Sequence, residues 1–238
     1  MMKTLCVVAV VVLSLTSVSQ AAPLACDQLL KQVDKSPDLS GSWYVIAMSS
    51  DNCLVPAYFN VVMWPSMALD ITALATPNLY ETKLKAKLHE YCSTDTQPIF
   101  FENNAIFYVD SNNAPKGNPN VLLQSGCPDC LVFKLDEFFD FFLLLSRRKN
   151  ITAAELKEFE TQAECLGWYK PHTLNTDHDY ENCLPFEPHT RISPATAEQI
   201  FQRLLSSYSV PFNCISEKFL YYPRVGFEWV QQKWKSIW

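Results

Sequence analysis

Between Gly41 and about Arg148 the chain is written in short apolar runs or strict alternation, each stopped by turn residues, with no helical period between them. Residues 43–47 are the first run, followed by a loop carrying Asn52, Cys53 and Pro56. Residues 58–64 are the second, stopped by Pro65, and 69–74 the third, ended by Pro77 and Asn78. From Lys83 to Tyr91 the alternation is clean, with Leu84, Ala86 and Leu88 opposite Lys83, Lys85 and Lys87. That is a strand with one wet side. Residues 99–102 and 105–110 are short aromatic strands, and 111–126, full of Asn, Pro and Gly, reads as a break. Residues 131–135 and 138–146 close the series around an acidic turn. About eight strands in succession predict an antiparallel up-and-down meander, and such a sheet removes its exposed edges by closing into a barrel. At that strand number the interior holds one small ligand or is filled by side chains.

The period then changes. Thr152 followed by Glu155 is a capping-box signature, and Leu156, Phe159, Ala163 and Leu166 recur at helical spacing up to Gly167. The fold class expected is therefore all-β: an eight-stranded antiparallel barrel with one α-helix packed outside, followed by a helical C-terminal extension over 187–238. In that extension Ser193-Pro194 starts a helix with Ile200, Phe201, Leu204 and Leu205 on one face. Further on, Phe227, Val230, Trp234 and Ile237 form a second stripe, beside Trp229, Trp238, Lys233 and Lys235. So many tryptophans need a partner, either this chain's own barrel or a lipid surface.

The N-terminus reads as an export signal over 1–21. Lys3 precedes an apolar core at 5–15, and Ser19-Gln20-Ala21 offers small residues where a peptidase cuts. That core is too short to span a bilayer. The protein is expected to be secreted, with a barrel domain over 22–186. A net charge of −6 argues against nucleic acid, and only 5 glycines leave little for a phosphate-cradling loop. Of 9 cysteines, Cys6 lies in the export segment. The remaining even set reads as disulfides, for which on the order of a hundred pairings exist.

Gly41-Ser42-Trp43-Tyr44 resembles the first lipocalin signature, and Leu143-Leu144-Leu145-Ser146-Arg147 before a capped helix resembles the third. The runs Ala163-Glu164-Cys165-Leu166-Gly167-Trp168 and Asp179-Tyr180-Glu181-Asn182-Cys183 are similar to the α-1-acid glycoprotein and apolipoprotein M branch. Cys127-Pro128-Asp129-Cys130 and Gln162 to Gly167 resemble its fish members that bind saxitoxin, tetrodotoxin or tributyltin. The resemblance covers about Cys26 to Phe186 and leaves the extension unmatched. It implies that Trp43 sits in the barrel floor with Arg147 packed across it, a cation–π contact that also seals apolar surface. It also implies bridges Cys26–Cys165 and Cys92–Cys183. For the others, a close Cys127–Cys130 bridge and a Cys53–Cys214 tether are the preferred pairs.

The resemblance implies that Trp43 points inward, so parity places Val45 and Ala47 inside as well. Arg147 parity brings in Leu145, Leu143 and Phe141, while Leu84, Ala86 and Leu88 face away from their lysines. Phe59, Val61 and Met63, with Leu131, Phe133 and Leu135, join them by resemblance and parity. Such a lining is nearly all hydrocarbon. It favours a small lipid-like or neutral hydrophobic ligand over a guanidinium toxin or other xenobiotic, because a cation wants carboxylates. Apolar parity looks the same for a filled core, whose protein would act through its C-terminal extension instead.

Catalysis is not expected. Cys127-x-x-Cys130 precedes strand residues rather than the helix that depresses a redox thiol's pKa, and no second pair or nearby His set completes a zinc site. Cys53, in a loop, is the one candidate for the thiol chemistry known in a single enzymatic lipocalin. His89, His172, His178 and His189 adjoin no nucleophile. No metal or cofactor is implied. Asn150-Ile151-Thr152 is a glycosylation sequon at the strand-to-helix junction.

Overall fold

The structure, a computed structural model, describes residues 25–136, 140–186 and 192–207, without the side chains at 56, 57, 60, 61 and 207. Eight strands form the wall: β1 Gly41–Ser50, β2 Pro65–Ala73, β3 Leu79–Leu88, β4 Tyr91–Glu102, β5 Ala105–Val109, β6 Pro115–Leu123, β7 Cys130–Leu135 and β8 Phe141–Ser146. Each pairs antiparallel with its sequence neighbour, β8 returns to β1, and the β4–β5 pairing completes the ring. This is the closed up-and-down barrel with an outer helix that the alternating runs predict. Two short strands sit on its edges. β9, His172–Thr173, pairs with β1 after β2 has let go at Tyr44, and β10, Leu184–Pro185, runs parallel to β4.

Two elements differ from the sequence expectation, and their effects on the strand count cancel. Residues 58–64 are not a strand. Helix α1, Leu54–Tyr58, runs straight into a π-helical turn, Phe59–Met63. Asn52 Oδ1 accepts the Leu54 N–H, and Pro56 falls in the first turn, where a missing N–H costs no intrahelical bond. Trp64 ends the turn in the left-handed region at φ 42°, its N–H bonded to the Phe59 carbonyl. Conversely, the polar stretch read as a break contains β6, whose outer half is exposed. Its Pro115 and Pro119 lack amide protons, so their strand recruits no further strand.

The apolar run of β8 is explained by burial on both sides. Phe141, Leu143 and Leu145 point into the barrel with Trp43, Val45, Ile71, Leu131 and Phe133. Phe142 and Leu144 point out, toward helix α2, Ala153–Cys165. There the Phe142 and Phe159 rings stack at 4.6 Å, both fully buried, with Val132 and Ala163 around them. The helix starts as its sequence dictates: Thr152 Oγ1 accepts the Glu155 N–H, and the Glu155 carboxylate accepts the Thr152 N–H at 2.7 Å. That hydrogen bond and the Arg148 guanidinium hold the Glu155 carboxyl below its usual range.

Three disulfides join described residues: Cys26–Cys165, Cys92–Cys183 and Cys127–Cys130. The first ties the N-terminal segment to α2 and the second ties the C-terminal strap to β4, over 139 and 91 residues of chain. Loops of that length restrict the unfolded chain by about 4–5 kcal/mol each in the entropic view. Cys53 is buried and also disulfide-bonded, so it offers no thiol. Its expected partner, Cys214, lies outside the described residues, as do the export segment 1–21 and the tryptophan stripe of the tail.

The strap also covers part of the face read as wet. Lys83 is exposed, but Lys85 pairs with Asp70 at 2.6 Å, and Lys87 is only 8% exposed beneath Asp177, its partner at 2.8 Å. Nearby Ser66 Oγ, His178 Nδ1 and the Tyr180 hydroxyl form a triangle of 2.8–3.0 Å contacts. Within the extension, helix α3, Pro194–Ser207, begins at Ser193, whose Oγ accepts the Thr196 N–H. It meets the barrel through Thr196, which donates to Glu90, and Arg203, stacked 3.6 Å over the Trp64 ring. Phe201, Leu204 and Leu205 stay exposed.

Candidate ligand-binding site

The barrel is sealed at the end where β1 begins. Trp43 is 3% exposed, its Nε1–H donates to the Leu39 carbonyl at 2.7 Å, and the Arg147 guanidinium lies 4.1 Å over its ring. Arg147 is held there by donating to the Ser40 carbonyl at 2.8 Å and the Asp38 carbonyl at 3.3 Å. The glycine of the Gly41-x-Trp43 pattern has a physical reason. Its φ is +103°, and a Cβ would stand 2.7 Å from Arg147 Nη1.

Above this floor lies a cavity of about 360 Å³, within the rough 300–1,000 Å³ span of small-molecule pockets. Val45, Leu143 and Leu145 wall it on one side, with Leu84, Phe133 and Leu135 among the rest. Leu69, Ile71, Ile99 and Ile106 complete its apolar part, and the sequence pattern singles out none of these four. Strand order, rather than local pattern, brings them together.

Other expected residues lie elsewhere. Ala47 does not face the interior. A bulge between Val45 and Ala47 inserts one residue opposite β8, so Val45 pairs with Leu145 but Ala47 pairs with Leu144. Parity flips there. Ala47 joins the outer cluster under α2, and Met48 takes the inward position. Phe59 and Phe141 meet edge to face at 6.4 Å beside the inner core without lining the cavity. Met63 sits half-buried at the end of the π-helical turn, away from the cavity wall, and the Val61 side chain lies outside those described. Ala86 and Leu88 share the parity of Leu84 but do not reach the cavity. Leu131 is buried in the inner core below it. Asn150 is exposed just before α2.

The lining is also less uniformly hydrocarbon than the sequence suggested. Thr82, Asp95, Gln97, Tyr108 and Asn120 all border the cavity. They share one side of the mouth because of a gap in the wall. β4 pairs with β3 from Tyr91 to Phe100, yet with β5 only over Ile99 to Glu102. Among the described residues, 93–98 are therefore an exposed free edge above that pairing. Gln97 Nε2 donates to Asp95 Oδ2 at 2.8 Å, and Asn120, 2% exposed, accepts the Asp136 N–H. Thr82 Oγ1 is buried and has no hydrogen-bond partner among the described residues. On another side of the same end, burial and the carboxylates of Asp136 and Asp51 push the Asp140 carboxyl up.

No family model matches this sequence, and no curated protein does. The chain is similar to solved structures, two siderocalins among them. One, the siderocalin Ex-FABP, is described as functioning through dual ligand specificities; it shares 11% identity over 66% of this chain and 100% of its own, with a TM-score of 0.46. The other, siderocalin Q83, is described as showing a dual ligand binding mode; it shares 12% identity over 59% of this chain and 90% of its own, at the same TM-score.

Proposed function

We propose that the chain is a secreted binding protein that carries one small, mainly apolar ligand inside its barrel. The cavity supports this most directly. A closed barrel with a sealed floor encloses about 360 Å³ behind aliphatic walls and leaves it open at one end. Burying a ligand there removes apolar surface from water on both partners at roughly 25 cal/mol per Å². Secretion is supported by the bridges, which persist in oxidising compartments, and by the composition of residues 1–21. The lipocalin branch suggested by the residues 163–168 and 179–183, and a glycan on exposed Asn150, belong to the same proposal. The role is binding rather than catalysis.

The test is titration with a neutral environment-sensitive dye, N-phenylnaphthylamine, against the full secreted chain and a Leu84→Trp variant that fills the cavity. A single saturable site at micromolar dye, lost in a variant that still unfolds cooperatively, is the expected result. Absence of binding in the parent chain favours a filled core. The extension would then be the active surface. Its helix α3 already meets the barrel through Thr196 and Arg203, so we place self-docking ahead of a membrane role for residues 187–238.

A further inference from the structure

We propose that Cys127–Cys130 is an exchangeable disulfide, a covalent site at which a low-molecular-weight thiol adds to Cys130 while Cys127 leaves as a thiolate against the Arg148 guanidinium. The pair lies outside the cavity, where β7 begins, with Cys130 opposite Ser146 at the end of β8. It runs into a strand, and what meets its sulfur is a guanidinium. Arg148 Nη2 has two protons; it donates to Cys127 Sγ at 3.3 Å and to Glu155 Oε1 at 2.7 Å. Arg148 Nε lies 3.6 Å from Asp129 Oδ2, buried and without a hydrogen-bond partner among the described residues. The backbone fixes the group beside the sulfur. The Arg147 N–H donates to the Asp129 carbonyl at 2.9 Å, and the Arg148 N–H donates to Ser146 Oγ at 3.1 Å.

A neutral disulfide sulfur is a weak acceptor, so this contact gains most when the sulfur becomes an anion. Exchange makes that anion. The incoming thiolate bonds to Cys130 Sγ, the Cys127–Cys130 bond breaks, and its electron pair leaves on Cys127 Sγ. A second thiolate attacking the external sulfur of the mixed disulfide then releases the oxidised thiol dimer and leaves both cysteines reduced. Such exchange speeds up as the leaving thiol's pKa falls, and an adjacent arginine lowers it. Burial selects the sulfur attacked. Cys127 is 3% exposed, whereas Cys130 is half-buried next to exposed Pro128 and Asp129. Asp129 and Glu155, the carboxylates beside this guanidinium, are both paired with it and hold it in place. Opening also costs the fold little. The bridge spans 3 residues of chain against 139 and 91 for the others, so it restricts the unfolded chain least.

Reduced glutathione added to the folded full chain, followed by rapid N-ethylmaleimide trapping and peptide mass spectrometry, reads the step. The expected product carries glutathione on Cys130 and maleimide on Cys127, with Cys26–Cys165 and Cys92–Cys183 intact. That result needs no substitution. Arg148→Gln, with its fold checked by thermal unfolding, should open about tenfold more slowly, and Arg148→Lys should fall between it and the parent. Loosening of the loop alone would speed opening, so the direction of the change separates thiolate stabilisation from packing. Four results would each overturn the proposal: no opening, glutathione on Cys127, loss of the two longer bridges at the same rate, or an Arg148→Gln rate at or above the parent's.

Discussion

The two ends of the barrel are built on opposite principles. At the floor the Trp43 N–H donates to the Leu39 carbonyl and Arg147 Nη2 to the carbonyls of Asp38 and Ser40, with the guanidinium laid over the Trp43 ring above a closed apolar base. At the mouth, among the described residues, a free strand edge carries Asp95 and Gln97, and Thr82 Oγ1 has no partner. Satisfied polar groups and close packing make an end that holds shape, while unsatisfied ones make an end ready for a ligand. The difference teaches where stability and selectivity should separate on substitution.

The largest effect is expected at the floor. Trp43→Ala removes a buried ring and its hydrogen bond, and should lower unfolding free energy by about 3–5 kcal/mol in urea titrations. A loss under about 1 kcal/mol would show that the floor does not organise the barrel. Removing the strap's bridge, by Cys92→Ala with Cys183→Ala, should cost about 2–4 kcal/mol by the same measurement. Gly41→Ala combines a positive φ with a close approach to Arg147, and about 1–2 kcal/mol is expected. If it is neutral, Arg147 moves freely and the cation–π seal is ornamental.

A pH titration probes the strap, which lies between the two extremes. Burial and Lys170 hold His172 below its ordinary value, and burial and Lys149 do the same to His178. A depressed histidine binds its proton more readily when the chain is unfolded. Stability should therefore be complete above pH 6.5, the unfolded value, and decline as pH falls from there toward the folded values. His178→Gln with His172→Gln should flatten that decline; an unchanged slope would assign it to other groups. The smallest stability effect is expected at the mouth, where Gln97→Ala should stay within about 0.5 kcal/mol of the parent.

The sequence made the floor more legible than the mouth, and the reasons are physical. The pattern Gly41-x-Trp43 and Arg147 involve a positive φ and a large ring, both of which only particular residues supply. The alternation of β3 and the inward parity of Phe141, Leu143 and Leu145 on β8 were readable because hydropathy follows strand period. The bulge after Val45 was not, since one extra residue changes facing without changing hydropathy, and Ala47 was misplaced for that reason. Residues 58–64 look like a strand by composition, whereas the Asn52 cap and the left-handed Trp64 make them helical. β6 was hidden by Pro115 and Pro119, which its outer half tolerates because β7 pairs with β6 only over Val121 to Leu123. The polar mouth was hidden because Asp95 and Gln97 look like ordinary surface residues until the β4–β5 pairing ends early.

The central claim is that ligand occupies the space between this floor and this mouth. Nuclear Overhauser contacts from the alkyl protons of bound decanol to protein methyl groups test it most directly. Contacts to Val45, Leu84, Leu143 and Leu145, with none to Ala47, are the predicted result. Contacts confined to Leu204 and Leu205 on the exposed face of α3 would contradict it, placing the ligand on the extension and leaving the barrel a scaffold.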